Sequence, residues 1–249
     1  MLKPEICVLK TDGINCDAEL ANAFEVAGAN TQTVHINQIR SGEKRLSDFN
    51  GLGLPGGFSY GDDIASGAVI ANELTAFLGE ELQEFVDSRK PIIGICNGFQ
   101  VLTRTGLLPN RNLGQQEATL AHNDIGRFIC KWIELAPEDS VCEFAPQNEF
   151  ETELLPMQIA HGEGRFVAKD DVLEEMKRRR QVVFTYQDNP NGSTDGIAGI
   201  CDPTGLILGM MPHPERSVTN FHPDRSRTND ARAAAAVIFR NFVSYTKNS

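Results

Sequence analysis

The run Gly94-Ile95-Cys96-Asn97-Gly98-Phe99-Gln100 follows directly on the apolar stretch Pro91-Ile92-Ile93. Such a stretch reads as a buried strand, and a glycine on each side of a nucleophile lets that strand turn sharply into a helix. The heptapeptide has the form of a nucleophile elbow, with Cys in the place of the Ser of G-x-S-x-G. An elbow needs a strand inside a sheet and a helix packed back on it, so it commits the chain to an α/β architecture. The turn lifts the Cys96 thiol clear of the sheet. It also sets the sulfur at a helix N-terminus, where free N–H groups and the helix dipole favour thiolate over thiol.

The residues before the elbow fit that architecture. Ile6–Leu9, Thr31–His35, Leu52–Leu54 and Ile92–Ile95 read as short apolar strands. Between them, Cys16–Ala27 has helical apolar spacing up to Gly28, and 68–88 reads as a long helix. This alternation predicts an open, mostly parallel sheet with helices on both faces. The second half changes character. Phe128–Leu135, Gln158–Ala160, Phe166–Ala168, Val182–Tyr186, Ile197–Cys201 and Leu206–Met210 read as strands with few helices between them, so antiparallel strands are expected to extend the sheet. Asp170–Arg180 reads as a short charged helix and Asp230–Tyr245 as a closing helix. At 249 residues, one domain over 1–249 is expected.

The formal net charge of −11 argues against a general grip on nucleic acid or on an anionic membrane. No apolar run approaches the length of a membrane span and no leader pattern opens the chain, so a cytoplasmic protein is expected. The six cysteines contain no C-x-x-C pair and no metal-ligand spacing, which predicts reduced thiols and no metal. Cys7, Cys130 and Cys201 lie in apolar runs and read as small core residues. Cys96 alone has reactive surroundings.

An activated cysteine needs a base. Three His-x-acid triplets compete: His161-Gly162-Glu163, His213-Pro214-Glu215 and His222-Pro223-Asp224. In extended backbone, residues i and i+2 point the same way, so Glu215 could orient the His213 ring while Pro214 holds the segment extended. His213 also follows the apolar run Leu206–Met211 and so sits at a strand end, where catalytic groups of open α/β sheets gather. His222 lies in a polar stretch, and it and His35 read as ordinary surface histidines. His161 is flanked by Gly162 and Gly164, which suit a mobile loop better than a rigid base, and it reads as a functional residue outside the triad. A tetrahedral oxyanion at Cys96 needs fixed N–H donors. Asn97 N–H, next after the nucleophile, and Gly57, in the turn Leu54-Pro55-Gly56-Gly57, are the candidates.

These motifs together resemble the class I, or triad, glutamine amidotransferases, in order and spacing over most of the chain. The resemblance implies that Cys96 attacks the side-chain amide of glutamine, with His213 as base, Glu215 as its orienter, and Gly57 and Asn97 as the oxyanion hole. It places Gln100, one helical turn beyond Cys96, in the glutamine pocket. The finer runs Gly57-Phe58-Ser59-Tyr60-Gly61-Asp62, His161-Gly162-Glu163-Gly164-Arg165 and Pro212-His213-Pro214-Glu215-Arg216 narrow it to members that work as separate glutaminase subunits. The implied partner is a larger synthetase subunit, with a small accessory subunit allowed in the same complex. No phosphate-loop pattern is found here, so no cofactor is expected in this chain, and ATP and magnesium are expected on the partner. His161, Glu163 and Arg165 are expected to face that partner. The segment Ser217–Asn229 is longer than the family pattern. Lys177–Arg180 reads as a solvated helix end before it reads as a phosphate site. The alternatives are another amidotransferase of the same fold, or a cysteine hydrolase or peptidase on a similar sheet.

Overall fold

The computed structural model describes residues 3–58, 67–219 and 222–247. Its main sheet has nine strands. In chain order the parallel part begins with β1 (Glu5–Lys10), β2 (Asn30–His35), β3 (Gly51–Leu54) and β4 (Ile92–Ile95). The antiparallel part holds β6 (Ile129–Pro137), β7 (Leu155–His161), β9 (Val182–Tyr186) and β10 (Ile197–Cys201), and β11 (Ile207–Met210) joins the two. The spatial order is β2-β1-β3-β4-β11-β10-β9-β6-β7. Pairing is parallel from β2 through to β11 and antiparallel from β11 outward. The expected sheet is thus found, with antiparallel additions in the second half.

Two helical layers cover the parallel half, and the alternation of β3 shows why. Gly51 and Gly53 face one side, where α1 (Asp17–Val26) and α7 (Thr228–Thr246) bring aromatic rings onto the strand. A Cβ at Gly51 would lie 2.8 Å from Phe242, and one at Gly53 2.9 Å from Phe24. Phe24 packs on Phe239 and Phe242 with ring centroids 5.4 and 5.0 Å apart. Leu52 and Leu54 face the other side. There they meet Leu74 and Leu82 of α3 (Ala68–Asp87) and Val101 and Leu102 of α4 (Asn97–Arg104). A period of two in the strand has become two different packing surfaces.

Some details depart from the expectations. Phe166–Ala168 does not extend the main sheet. As β8 (Arg165–Ala168) it pairs with β5 (Ala118–Ala121), a strand the sequence reading missed, in a separate two-stranded ribbon. Short helices α2 (Ile36–Arg40) and α6 (Pro214–Ser217) were also missed. The charged helix is α5 (Asp170–Arg178). Cys130 is exposed rather than core, near the start of β6, where Lys131 beside it is exposed too. Of Ser217–Asn229, a short 3-10 turn Arg225–Arg227 leads into α7, and 220–221 lie outside the described residues. Among the described residues no helix is long and apolar enough to cross a membrane.

Candidate active site

Three adjacent strands, β3, β4 and β11, end at the same edge of the sheet, and each hands one element to the site. β4 runs straight into Cys96, whose amide donates to Met210 O of β11 at 2.8 Å. The elbow forces Cys96 to φ 52° and ψ −104°, outside the ordinary regions for a residue with a side chain. Glycine is obligatory beside it: a Cβ at Gly98 would lie 2.0 Å from Leu54 O. The helix α4 therefore leaves the sheet closely against β3, with the thiol at its N-terminus. The amides of Asn97 and Gly98 lie in the first turn, where a helix supplies no carbonyl partner.

β11 delivers His213. Its Nδ1–H donates to Glu215 Oε1 at 2.6 Å, and both side chains are 1% exposed. The pair forms, but by a route other than the one expected. The backbone does not stay extended: Pro214 is the first residue of α6, and Glu215 reaches back to the ring from that helical turn. Pro at a helix start is favourable because its missing N–H has no intrahelical partner to lose. Burial works against a charged imidazole here, yet the Glu215 carboxylate and then Cys96 outweigh it and hold the His213 pKa well above its ordinary value. A proton leaving Cys96 therefore has a place to rest.

The loop after β3 closes the third side. Gly57 has φ 145°, and a side chain there would approach Ile14 Cα and Asn15 N to 2.8 Å. A Cβ at the neighbouring Gly56 would lie 2.9 Å from the His213 ring. Of the motif that begins at Gly57, residues Ser59 to Asp62 lie outside the described residues.

The antiparallel half then returns to the site. Although β7 is the far edge of the sheet, Gln158 O accepts the His213 amide at 2.8 Å and Ala160 O accepts the Cys96 thiol at 3.7 Å. The resulting cavity of about 270 Å³ includes Cys96, Gln100, His161, Glu163, His213 and Arg216 in its wall. Drug-sized ligands take roughly 300–1,000 Å³, so this space suits a smaller molecule. Gln100 is buried, accepts from Asn97 Nδ2 at 3.0 Å and donates to Glu163 O at 2.6 Å.

The partner-facing expectation does not fit the placement of His161, which is 3% exposed at the end of β7 and lines the cavity. Glu163 also lines it, and its carboxylate lies 3.6 Å from His122 Nδ1. Arg165 begins β8 and is half-buried. The remaining histidines are structural: His35 caps α2 through Nδ1, and the His222 ring packs on Trp132. Each cation of Lys177–Arg180 has a carboxylate partner, in Asp195, Glu175 or Asp139.

Cys16 is a residue of this site that sequence reasoning missed. Its sulfur, a His213 ring nitrogen and a Glu215 oxygen lie within 4.8 Å of one another, a donor set of the kind that can hold a metal. Arg216 Nη2 donates to that sulfur at 3.1 Å, however, and Glu215 is committed to His213. A guanidinium on the sulfur opposes a cation, so the cluster fits proton transfer better than metal binding. The available signal was positional: Cys16 opens the helix after β1, whose end lies at the same sheet edge.

A buried His–Glu pair thus lies beside a cysteine on an elbow, at one edge of an open α/β sheet. The chain belongs to the CobB/CobQ-like glutamine amidotransferase domain family, whose model matches residues 3–246. It is 44% identical over 229 residues to the phosphoribosylformylglycinamidine synthase subunit PurQ of Methanococcus maripaludis, covering 86% of this chain and 83% of that one. It is 42% identical to the PurQ subunit of Dehalococcoides mccartyi, with 90% and 89% covered. Among solved structures, a chain of PurLQS from Thermotoga maritima matches with a TM-score of 0.78 at 35% identity, over 98% of this chain and 99% of that one.

Proposed function

We propose that this protein is the glutaminase subunit of a phosphoribosylformylglycinamidine synthase of purine biosynthesis, acting as a single amidotransferase domain over 1–249. The observation that carries the chemistry is the buried His213–Glu215 pair, 2.6 Å apart, just past the end of the strand that adjoins the one leading into Cys96. The acceptor reaction is carried by the relatives named PurQ and by the likeness to PurLQS.

In this reading the Cys96 thiol loses its proton to His213 and attacks the glutamine side-chain carbonyl. The oxyanion is held by N–H groups of Asn97 and Gly57. His213 passes its proton to the leaving nitrogen, ammonia departs, and a γ-glutamyl thioester remains on Cys96. Water then gives a proton to His213 and adds to the thioester, and glutamate leaves as the thiol is restored. Glu215 keeps Nδ1 protonated so that Nε2 is the working atom. Gln100 shapes the pocket through Asn97 and Glu163. Ammonia passes to the larger synthetase subunit, which uses ATP and magnesium to convert formylglycinamide ribonucleotide to the amidine. The reading places the protein in the cytoplasm.

The test separates ammonia production from its use. In the assembled complex, Cys96→Ala is expected to abolish amidine formation from glutamine while leaving formation from ammonium salt intact. Loss of the ammonium reaction, with the complex still assembled, would put Cys96 in the synthetase step and refute the division.

A further inference from the structure

Behind His161, which lines the cavity, stands a buried polar residue that the steps above do not use. Asn123, buried in the loop after β5, has its carboxamide fixed at both ends. Nδ2 donates to Arg127 O at 3.0 Å and to His161 O at 2.9 Å. Oδ1 accepts the Gly164 amide at 3.2 Å. Flipping the carboxamide would set an oxygen against two carbonyls and an NH₂ against an N–H, so the orientation is determined. His161 Nδ1 lies 3.0 Å from Oδ1, an atom that can only accept. Nδ1 must therefore carry the proton, and Nε2 carries the lone pair.

The ring has little freedom. A Cβ at Gly164 would lie 2.3 Å from its Cε1 and Nδ1, so this glycine lets the backbone close flat against the imidazole. Nε2 is buried and has no hydrogen-bond partner among the described residues. Burial, and after it the nearby His213, lowers the His161 pKa to about 4. At neutral pH the ring is uncharged and has no proton to give at Nε2. A buried acceptor held in one tautomer and left unmatched calls for a donor supplied from outside the fold.

We propose that His161 is a substrate-reading residue whose Nε2 accepts an N–H of the small amide or amine that fills the cavity, with Asn123 as the residue that positions it. This rests on the glutaminase reading. Glutamine offers two such N–H sources, the side-chain carboxamide that becomes ammonia and the α-ammonium. For the first, an acceptor without a proton to donate holds ammonia without converting it to ammonium.

The experiment uses the assembled complex, with glutamine and its analogue lacking the α-amino group, 4-carbamoylbutanoate. Wild type must turn over glutamine; failure there removes the glutaminase reading and this inference with it. His161→Phe keeps a ring against Gly164 and deletes the acceptor. It is expected to lower kcat/KM for glutamine about ten- to a hundredfold. Loss on glutamine alone assigns the contact to the α-ammonium, and loss on both substrates assigns it to the carboxamide. Unchanged kcat/KM on both, in a folded variant, overturns the proposal.

Asn123→Asp gives a readout that packing would not move. It keeps an acceptor for Gly164 and His161 but adds a negative charge that favours imidazolium, turning Nε2 into a donor. The expected result is a fall in kcat/KM that recovers as pH rises, through an ionisation absent from wild type. Cys96, Glu163, His213 and Arg216 line the same cavity in both proteins, so the added step reports on His161. A loss that does not change with pH would make Asn123 a structural residue only and would overturn its assigned role.

Discussion

Two histidines a short distance from one thiol are tuned in opposite directions, and each direction has its own consequence. Burial opposes a charged His213, but Glu215, Cys96 and Cys16 together outweigh it and raise the ring's pKa, so it can hold the thiol proton. His213→Ala should lower glutamine turnover by about four orders of magnitude, since proton uptake and return both fail. Steady-state ammonia release, with folding checked by thermal melting, measures it. His161 is lowered, so in the window from its ordinary 6.5 down to about 4 the unfolded chain binds a proton that the fold refuses. Its contribution makes stability rise with pH across that window, and about 3 kcal/mol is lost on going down through it. His213 acts oppositely, giving stability that is complete below its unfolded value and lost as pH climbs through its folded one. Denaturant melts across the window should therefore show His161→Gln less acid-sensitive than wild type; equal sensitivity would contradict the assignment. Among the thiols, burial, followed by Glu81, pushes Cys7 up to about 12, and Cys201 is raised as well. The elbow and the cavity single out Cys96, so a glutamine-like electrophile should label it, and peptide mapping that finds the label on Cys16 instead would redirect the assignment.

At the scale of elements, the elbow depends on contact with its neighbour strand. Gly98→Ala drives a methyl into Leu54 O, a backbone atom with no rotamer to yield. The substitution should cost about 3 kcal/mol or more and displace the thiol, so melting temperature and electrophile labelling should fall together. Loss of labelling alone would mean that the helix shifts without strain. This element was legible because strand, glycines and nucleophile are contiguous, and the choice of His213 with Glu215 was legible from the strand before it. The geometry between those two was not, since Pro214 starts a helix as readily as it holds an extended chain. The β5–β8 ribbon was hidden for another reason. Its strands are only four residues each and separated by more than forty, so local pattern says nothing about their pairing. Asn123 was invisible as a site residue because its partners His161 and Gly164 are remote in sequence, and Cys16, whose partners His213 and Arg216 are as remote, left only its place at the sheet edge as a signal.

At the scale of the whole molecule, the order of strands differs from the order of synthesis. β4, which ends at the nucleophile, pairs on one side with β3 and on the other with β11, a strand that begins only at Ile207. A chain emerging from the ribosome thus carries Cys96 for more than a hundred residues before the base or its carboxylate exists. Throughout that interval the middle of the sheet has an open slot, and the first half cannot close on the second. Such long-range insertion slows folding relative to a sheet built from neighbours. It also means that the reactive centre is completed late, when ten of the eleven strands among the described residues have already been made.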